Sequence, residues 1–395
     1  MKDNFPELDF QRENGNFYYF DSAATTLKPA SVITAISNHY GKHNANTRRG
    51  FYPLAVEADK ICEDVREKVR KFIGAKYITE CIFTHGATES LNILAQSIAS
   101  SFLEPESEVI ISQLEHHSSL LPWRTLEKAG KLKVKIPPCS LDTGEIRPED
   151  LENLITEKSR VLVLTPESNV IGETKNFEKL VKIAKAHGLI AIADCAQMVA
   201  HQKLNLAESG IDFAAFSGHK MYAEMGIGIL YGRQELLEKM SPAFYGGEMV
   251  EDVQNNGEIE LAELPYRFEA GTINLGGIAS LGTAIDFMQS RDFRQLEALS
   301  EELRSKLVEI PGLKIIGNPK GTITSFQITD IHPHDVAQIL ASDGICVRAG
   351  YHCAQPLLEE VGPVTRISLG IYNTPEDVNY LVQRIATIHK RMGYE

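Results

Sequence analysis

Short runs of almost purely apolar residues alternate with amphipathic segments over the first two thirds of the chain. A helical pattern over Asn176–His187 follows the second of these runs, which are Val109–Ile111, Val161–Leu164, Leu189–Ala193 and Phe213–Phe216. Strands that are apolar on both faces are typical of a parallel sheet covered by helices on both sides. The alternation therefore predicts an α/β fold with a mostly parallel sheet.

The C-terminal part of the chain has a different pattern. Long charged helical segments are predicted over Phe293–Glu309 and Pro375–Met392. One hydrophobic core stops growing well below the length of this chain, which is 395 residues. We therefore expect a large domain over residues 21–287 and a smaller α+β domain made of residues 1–20 and 288–395.

Two other segments carry local signals. Apolar residues recur at helical spacing over Ala55–Ile73, and Gly74 follows as a residue that can end a helix in the left-handed conformation. The acidic, turn-rich stretch Glu248–Glu263 has no clear periodicity. We expect a helix in the first segment and a flexible surface loop in the second.

Charge and cysteine content exclude several classes of function. The 40 Lys and Arg residues against 53 Asp and Glu give a formal net charge of −13, which disfavours a nucleic-acid partner. The N-terminus lacks an apolar stretch, and no run of about 18 apolar residues predicts a membrane span. The 6 cysteines form no C-x-x-C pair, so neither a zinc site nor a disulfide framework is indicated. We expect a soluble cytoplasmic protein.

Two strands of the predicted sheet end in residues that suit one cofactor. Asp194 follows Leu189–Ala193, and Lys220 comes shortly after Phe213–Phe216. Ligands of open parallel sheets bind beyond the carboxyl ends of the strands. Pyridoxal 5′-phosphate (PLP) needs a lysine that forms a Schiff base and a carboxylate that pairs with its pyridinium nitrogen. The alternative is that Asp194 caps the next helix and Lys220 is a solvated loop residue.

A phosphate site is predicted after the apolar pair Ile82–Phe83. The segment Thr84–Ser90 places a glycine and a threonine where a helix begins. Free backbone N–H groups and a hydroxyl at a helix N-terminus bind anions. The alternative is simple N-capping by Thr84 or Thr88.

Two adjacent histidines, His116 and His117, come shortly after the strand Val109–Ile111. An imidazole at this edge of the sheet could stack on an aromatic cofactor or transfer protons near neutral pH. Adjacent histidines point in different directions, and no third ligand is spaced for zinc. We therefore expect no metal here.

The segment Arg348–Pro356 predicts a reactive thiol. Cys353 adjoins His352 and lies near Arg348 in a loop punctuated by Gly and Pro, a setting that lowers a thiol pKa and keeps the thiol exposed. The other five cysteines lie in apolar or helical contexts. Arg366, in a strand-like segment, suits bidentate binding of a carboxylate, with an ion pair as the alternative.

Four segments in this order resemble the class V aminotransferase family, and most closely its group II (SUF-type) cysteine desulfurases. They are Ser112–His117, Ser217–Lys220, Arg267–Thr272 and Arg348–Pro356, and the resemblance extends from Phe20 to Thr374. It implies a PLP-dependent transferase of fold type I. Such a protein is a homodimer with a mostly parallel seven-stranded sheet, helices on both faces, and a smaller α+β C-terminal domain.

The resemblance also implies roles for individual residues. Lys220 would carry PLP as a Schiff base, Asp194 would pair with the ring nitrogen, and His116 would stack on the ring. The residues implied near the phosphate and the ring hydroxyl are Thr88, Ser217, His219, Asn169, Gln197 and, from the other subunit, Thr272. Those implied to bind the substrate are Arg366, Asn169, Arg348 and Ala23.

The implied reaction removes sulfur from L-cysteine and releases L-alanine. The Lys220 amine or His116 would remove the α-proton, and the Cys353 thiolate would attack the substrate sulfur to form a persulfide. The short segment between Cys353 and Arg366 matches the SUF-type group. It implies transfer of the sulfur to a SUF-type acceptor protein, with iron–sulfur cluster assembly as the expected pathway.

Two other functions are compatible with the same residues. A selenocysteine lyase or cysteine-sulfinate lyase would depend less on Cys353. A catalytically silent scaffold for sulfur assembly would keep the fold without turnover. The chain departs from the family pattern at Arg48, Tyr52, Cys195, Glu224 and Tyr351.

Overall fold

Helices and strands alternate along the chain in the computed structural model, which describes residues 5–317 and 320–393. The strands are β1 Tyr18–Tyr19, β2 Cys81–Thr84, β3 Glu108–Ile111, β4 Lys133–Lys135, β5 Ser159–Leu164, β6 Glu167–Ser168, β7 Gly172–Glu173, β8 Ile190–Asp194, β9 Phe213–Ser217, β10 Gly228–Gly232, β11 Val250–Val253, β12 Ile259–Leu261, β13 Leu313–Ile316, β14 Ile323–Ile328, β15 Ile345–Cys346, β16 Arg348–Gly350 and β17 Val364–Ser368. The helices are α1 Pro6–Asn14, α2 Ala30–Lys42, α3 Pro53–Ile73, α4 Ala87–Phe102, α5 His117–Lys128, α6 Pro148–Leu154, α7 Phe177–Ala186, α8 Gln234–Leu237, α9 Leu275–Gln289, α10 Arg294–Leu307, α11 Pro333–Ser342, α12 Pro375–Ala386 and α13 Ile388–Arg391.

A seven-stranded sheet forms the centre of the larger part of the chain, in the order β2, β10, β9, β8, β5, β3, β4. β10 is antiparallel to both of its neighbours, and the other adjacent pairs are parallel. The predicted α/β fold with a mostly parallel seven-stranded sheet is therefore confirmed.

Alternate residues of each strand pack against helices on opposite faces of this sheet. In β3, Ile110 belongs to the cluster that includes residues of α3, α7 and α9, whereas Val109 and Ile111 belong to the cluster that includes residues of α4 and α5. Side chains of a strand point to its two faces in turn, so a strand covered on both sides is apolar throughout. This packing explains the runs in the sequence.

A second, antiparallel sheet has the order β13, β14, β17, β16. Helices α10, α11 and α12 pack Leu303, Leu340 and Leu381 into the core that contains Phe326 of β14. The division of the chain before residue 288 remains a proposal: it falls within the last turn of α9, which packs with the first sheet, whereas α10 packs with the second.

Two predicted segments differ in the structure. The helix predicted over Pro375–Met392 is two helices, α12 and α13, with Thr387 between them. The stretch Glu248–Glu263, predicted as a flexible loop, contains the antiparallel pair β11 and β12. Residues of both strands are largely exposed, so no alternation of apolar and polar residues marks them in the sequence. Gly74 ends α3 in the left-handed conformation, as predicted.

None of the helices in residues 5–317 and 320–393 combines the length and the apolar character that a membrane span requires. The same residues contain no group of three or more His, Cys, Asp or Glu side chains arranged to hold a metal ion.

Candidate active site

A cavity of about 520 Å³, which we call the principal cavity, lies beyond the carboxyl ends of β5, β8 and β9. Strands β16 and β17 of the second sheet approach it there. Most of the residues singled out in the sequence line it: Ala23, Thr88, His116, Asn169, Asp194, Gln197, Ser217, His219, Lys220, Arg348, Cys353 and Arg366. Thr272 does not; it lines a separate, smaller cavity. One chain thus brings together all but one of the predicted site residues.

Asp194 and Lys220 lie at the carboxyl ends of neighbouring parallel strands and line this cavity. Asp194 is the last residue of β8, and Lys220 lies in the short turn that follows β9. Burial raises the pKa of the Asp194 carboxyl, whereas the charge of Lys220 and an N–H group donated by Ala196 at 3.0 Å lower it. Burial lowers the pKa of the Lys220 amine, which favours the unprotonated, nucleophilic form.

Helix α4 begins at the cavity without a side-chain cap. Its N-cap residue is Gly86, and the Ala87 N–H group donates to Ser217 Oγ at 2.8 Å. Thr84 bonds to Ser90 and Thr88 to Ser118, so neither threonine caps the helix and the N-capping alternative is wrong. The N–H groups of Thr88 and Glu89, which follow Ala87 in the first turn, are available to an anion.

His116 is the N-cap residue of α5. Its Nδ1 accepts the Ser118 N–H group at 3.1 Å, which assigns the proton of the neutral ring to Nε2. Burial, together with the charge of Lys220, lowers the pKa of His116 to about 4. The imidazole is therefore neutral near pH 7 and presents an N–H donor at Nε2.

Cys353 lies in a loop that is bonded to the wall of the cavity. Its carbonyl accepts the His117 N–H group at 2.8 Å, and the carbonyl of His352 accepts Asn169 Nδ2 at 2.6 Å. His352 and Cys353 both have positive φ angles, of 50° and 58°. Side chains with a Cβ rarely adopt this conformation, so these bonds hold a strained loop in place.

The thiol of Cys353 is exposed, unlike those of the other cysteines. Cys62, Cys81 and Cys195 are buried, and Cys139 and Cys346 are partly buried. Burial raises the pKa of both Cys139 and Cys346. Only one of the 6 cysteines thus combines exposure with a place at the cavity.

Two arginines at the cavity share one carboxylate. Arg348 Nη2 and Arg366 Nη2 lie 2.8 and 3.3 Å from the two oxygens of Asp21. Arg366 is buried in β17, and its Nη1 donates to the Asn169 carbonyl at 2.9 Å. Its Nε has no hydrogen-bond partner among the described residues, so the guanidinium retains a donor for a ligand.

The sequence model of the family described as aminotransferase class-V matches residues 18–381 of the chain. The chain belongs to the class V aminotransferase family. Two curated relatives named "Probable cysteine desulfurase" come from Halalkalibacterium halodurans and Vibrio cholerae. They are 39% and 41% identical over 100% and 99% of this chain, and over 98% and 97% of their own length.

Solved structures of the family have the same fold. The cysteine desulfurase CsdA of Escherichia coli aligns with a TM-score of 0.89 at 35% identity, covering 96% of this chain and 95% of its own. The apo cysteine desulfurase of Thermococcus onnurineus NA1 aligns with a TM-score of 0.91 at 34% identity, covering 98% of this chain and 99% of its own.

The cavity fits PLP, the cofactor of the class V aminotransferase family. Buried polar atoms of residues that line it have no hydrogen-bond partner among the described residues; they include His219 Nδ1, Asn169 Oδ1, His352 Nδ1 and Arg366 Nε. Leaving such atoms unpaired is costly, and a polar ligand satisfies them. A nucleophilic amine, a buried carboxylate and an uncapped helix N-terminus complete the set that PLP requires.

Sequence reasoning missed two acidic residues beside this cavity. Asp21 pairs with both arginines, and the only signal for it in the sequence was its place next to Phe20, where the family resemblance begins. Glu115 precedes His116 and is fully buried, and its carboxylate lies beside the Ser112 and Ser119 hydroxyls. Burial, reinforced by the Asp194 charge, raises the pKa of Glu115 to about 8.

The five departures from the family pattern do not line the principal cavity in the described part of the chain. Arg48 pairs with Glu269 at 2.9 Å and stacks on Tyr266, and Cys195 is buried. The remaining ones are Tyr52, Glu224 and Tyr351, of which both tyrosines are exposed. The cavity therefore retains the residues that the family resemblance assigned to it.

Proposed function

We propose that the chain is a PLP-dependent cysteine desulfurase, which converts L-cysteine to L-alanine and leaves the sulfur on Cys353 as a persulfide. The observation that carries the proposal is the position of the exposed Cys353 thiol at the same cavity as Lys220 and Arg366. The relatives named "Probable cysteine desulfurase", which align with the chain over nearly their whole length, support it.

The side chains at the cavity divide into two groups. Lys220 would hold PLP through its amine, with Asp194 at the ring nitrogen and His116 against the ring. The residues proposed for the phosphate and the ring substituents are Thr88, Ser217, His219, Asn169 and Gln197. Those proposed for the substrate are Arg366, Arg348, Asn169 and Ala23.

When bound, PLP supplies an electron sink for the carbon that carries the substrate amine. The donor at Arg366 Nε would bind the substrate carboxylate. Between the two candidate bases, the structure favours Lys220 Nζ as the acceptor of the α-proton. Its pKa is lowered, whereas Nε2 of the neutral His116 already carries a proton.

Sulfur transfer needs no external oxidant. The Cys353 sulfur forms a bond to the substrate sulfur as the bond between that sulfur and Cβ breaks. The electron pair of the broken bond stays with Cβ, which takes up the proton that Cys353 loses. A thiol and L-cysteine thus become a persulfide and L-alanine, with atoms and electrons balanced.

The proposal includes two protein partners. The bonds that hold the Cys353 loop favour an acceptor protein that approaches the persulfide, as in the SUF-type group, with iron–sulfur cluster assembly as the pathway. A second copy of the chain would form a homodimer and bring its Thr272 to the phosphate. Thr272 lies outside the principal cavity of its own chain, which agrees with this arrangement.

Product analysis with purified protein, PLP and L-cysteine tests the function. We expect L-alanine and protein-bound sulfur from the unsubstituted protein, and loss of sulfur release by more than about 100-fold in Cys353→Ser. Cys346→Ser, which alters a partly buried thiol, is the matched control and should retain activity.

Other outcomes would overturn the proposal. If Cys353→Ser released sulfur from L-cysteine at the original rate, Cys353 would not be the nucleophile. Turnover of L-selenocysteine or cysteine sulfinate without turnover of L-cysteine would identify a lyase of that type instead. A PLP-containing protein inert to all three amino acids would be a scaffold.

A further inference from the structure

Lys28 does not line the principal cavity, but its side chain contacts the segment that carries Lys220. Lys28 Nζ donates to the carbonyl oxygens of Thr26 and His219, at 2.6 and 2.8 Å. It also lies 3.4 Å from Thr25 Oγ1. The loop before α2 is thereby joined to the turn after β9.

The carbonyl of His219 is the centre of this junction. Besides Lys28 Nζ, it accepts the backbone N–H and the hydroxyl of Thr26, both at 3.1 Å, and the hydroxyl of Thr25 at 3.2 Å. The Thr26 hydroxyl in turn accepts the N–H group of Tyr222 at 2.9 Å. The peptide that joins His219 to Lys220 is therefore fixed by four donors from one loop.

The charge of Lys28 has no acidic partner within the described residues. All the groups that bind its ammonium are neutral oxygens. Burial lowers the pKa of Lys28 to about 7. A cation in such a place is costly unless an anion lies nearby.

The nearest anion that the proposed function supplies is the phosphate of PLP. His219 is one of the residues proposed to bind it, and the charge of Lys28 acts on His219. Burial, with the charges of Lys220 and Lys28, lowers the pKa of His219 to about 4. His219 is thus neutral near pH 7, and Lys28 adds a positive charge behind it.

We propose that Lys28 is a positioning residue for the cofactor: its ammonium fixes the peptide between His219 and Lys220 and places a positive charge behind the phosphate-binding residues. This inference rests on the PLP site of the proposed function, but not on the desulfurase reaction. It concerns retention of the cofactor, which is measured without turnover.

The test compares Lys28→Met with the unsubstituted holoenzyme. Each is mixed with an excess of an unrelated PLP-binding apoprotein, and loss of its visible absorbance gives the rate of PLP release. We expect release to be about tenfold faster in Lys28→Met, the effect of one charge-assisted hydrogen bond. Lys179→Met, which removes an exposed lysine from α7, should release PLP at the original rate.

Two further readouts separate positioning from a merely structural role. The unfolding temperature of cofactor-free Lys28→Met should stay close to that of the parent, because removal of a buried charge without an acidic partner offsets the loss of the hydrogen bonds to Thr26 and His219. Lys28→Arg, which keeps the charge and the donors, should restore slow release. Lys28→Gln, which keeps a donor but no charge, should release PLP faster than the parent and replaces Lys28→Met if that variant does not fold.

Unchanged release from Lys28→Met or Lys28→Gln would overturn the proposal. So would a Lys28→Met variant whose faster release is matched by a lower unfolding temperature without PLP, because that result indicates general destabilisation. Failure of the proposed function looks different: the unsubstituted protein would then bind no PLP, or would bind it and yield no alanine from L-cysteine.

Discussion

The carboxyl group of Glu115 is fully buried and forms no ion pair in the described residues. Its pKa of about 8 lies above the ordinary value of 4.5, so the folded chain binds a proton there that the unfolded chain has released. Between these two pH values the carboxyl group destabilises the fold increasingly as the pH rises.

Replacing Glu115 by glutamine should remove this dependence on pH. We expect the free energy of unfolding of Glu115→Gln to rise relative to the parent by up to about 1.4 kcal/mol per pH unit between pH 4.5 and pH 8. Urea unfolding of the cofactor-free proteins at pH 5 and pH 8 measures the difference.

Glu149→Gln, at an exposed position of α6, is the matched control and should change little with pH. A difference between Glu115→Gln and the parent that is the same at both pH values would show that Glu115 is charged in the folded protein.

The residues of the site were predictable to different degrees. Lys220 and Asp194 carry chemistry that few structures other than a PLP site combine at neighbouring strand ends. The roles of Asp21 and Lys28 depend on contacts with residues about 200 to 350 positions away, such as His219 and Arg366. No local pattern contains such contacts, so only the fold reveals them.

At the scale of elements, β10 approaches the start of α4 so closely that only glycine fits. A Cβ at Gly228 would lie 2.5 Å from Gly86 Cα and 2.7 Å from the carbonyl oxygen of Phe216. Both neighbours are backbone atoms, which cannot move away as the end of a side chain can. The close approach therefore places the N-terminus of α4 relative to the sheet.

Gly228→Ala should push Gly86 and the proposed phosphate-binding helix terminus away from the sheet. We expect a loss of about 1–3 kcal/mol in the free energy of unfolding and faster release of PLP. The matched control is Gly232→Ala on the same strand, where a Cβ would meet the side chains of Leu237 and Phe213 instead. Equal rates of PLP release from the two variants would contradict this account.

The elements themselves were predictable where burial leaves a pattern. The strands of the central sheet are apolar because both faces are covered, and α3 shows its helical spacing because one face is buried. β11 and β12 bury too little to leave such a signal. The break at Thr387 interrupts a segment whose periodicity continues on both sides.

At the scale of the whole molecule, several large apolar side chains are exposed on a single chain. Phe51 is 98% exposed, and Met225 and Tyr245 are each 61% exposed. Exposed apolar side chains of this size commonly mark surfaces that another protein covers. We expect the second copy in the proposed homodimer to cover Phe51.

Phe51→Asp should therefore produce a monomer, because a charge buried at the interface opposes association. Sedimentation velocity measures the association state, and PLP release should accelerate with dissociation if the partner contributes Thr272. Phe10→Asp changes a phenylalanine that is 60% exposed on α1 and should leave the association state unchanged. A dimeric Phe51→Asp variant would place the interface elsewhere.

The unequal burial of the 6 cysteines has a practical consequence for labelling. A bulky maleimide added to the folded protein meets Cys353 before any other thiol, since three others are buried and two are partly covered. A fluorophore or spin label can thus be attached at the mouth of the cavity without first removing the remaining cysteines. Its signal would then report the arrival of any molecule that docks there.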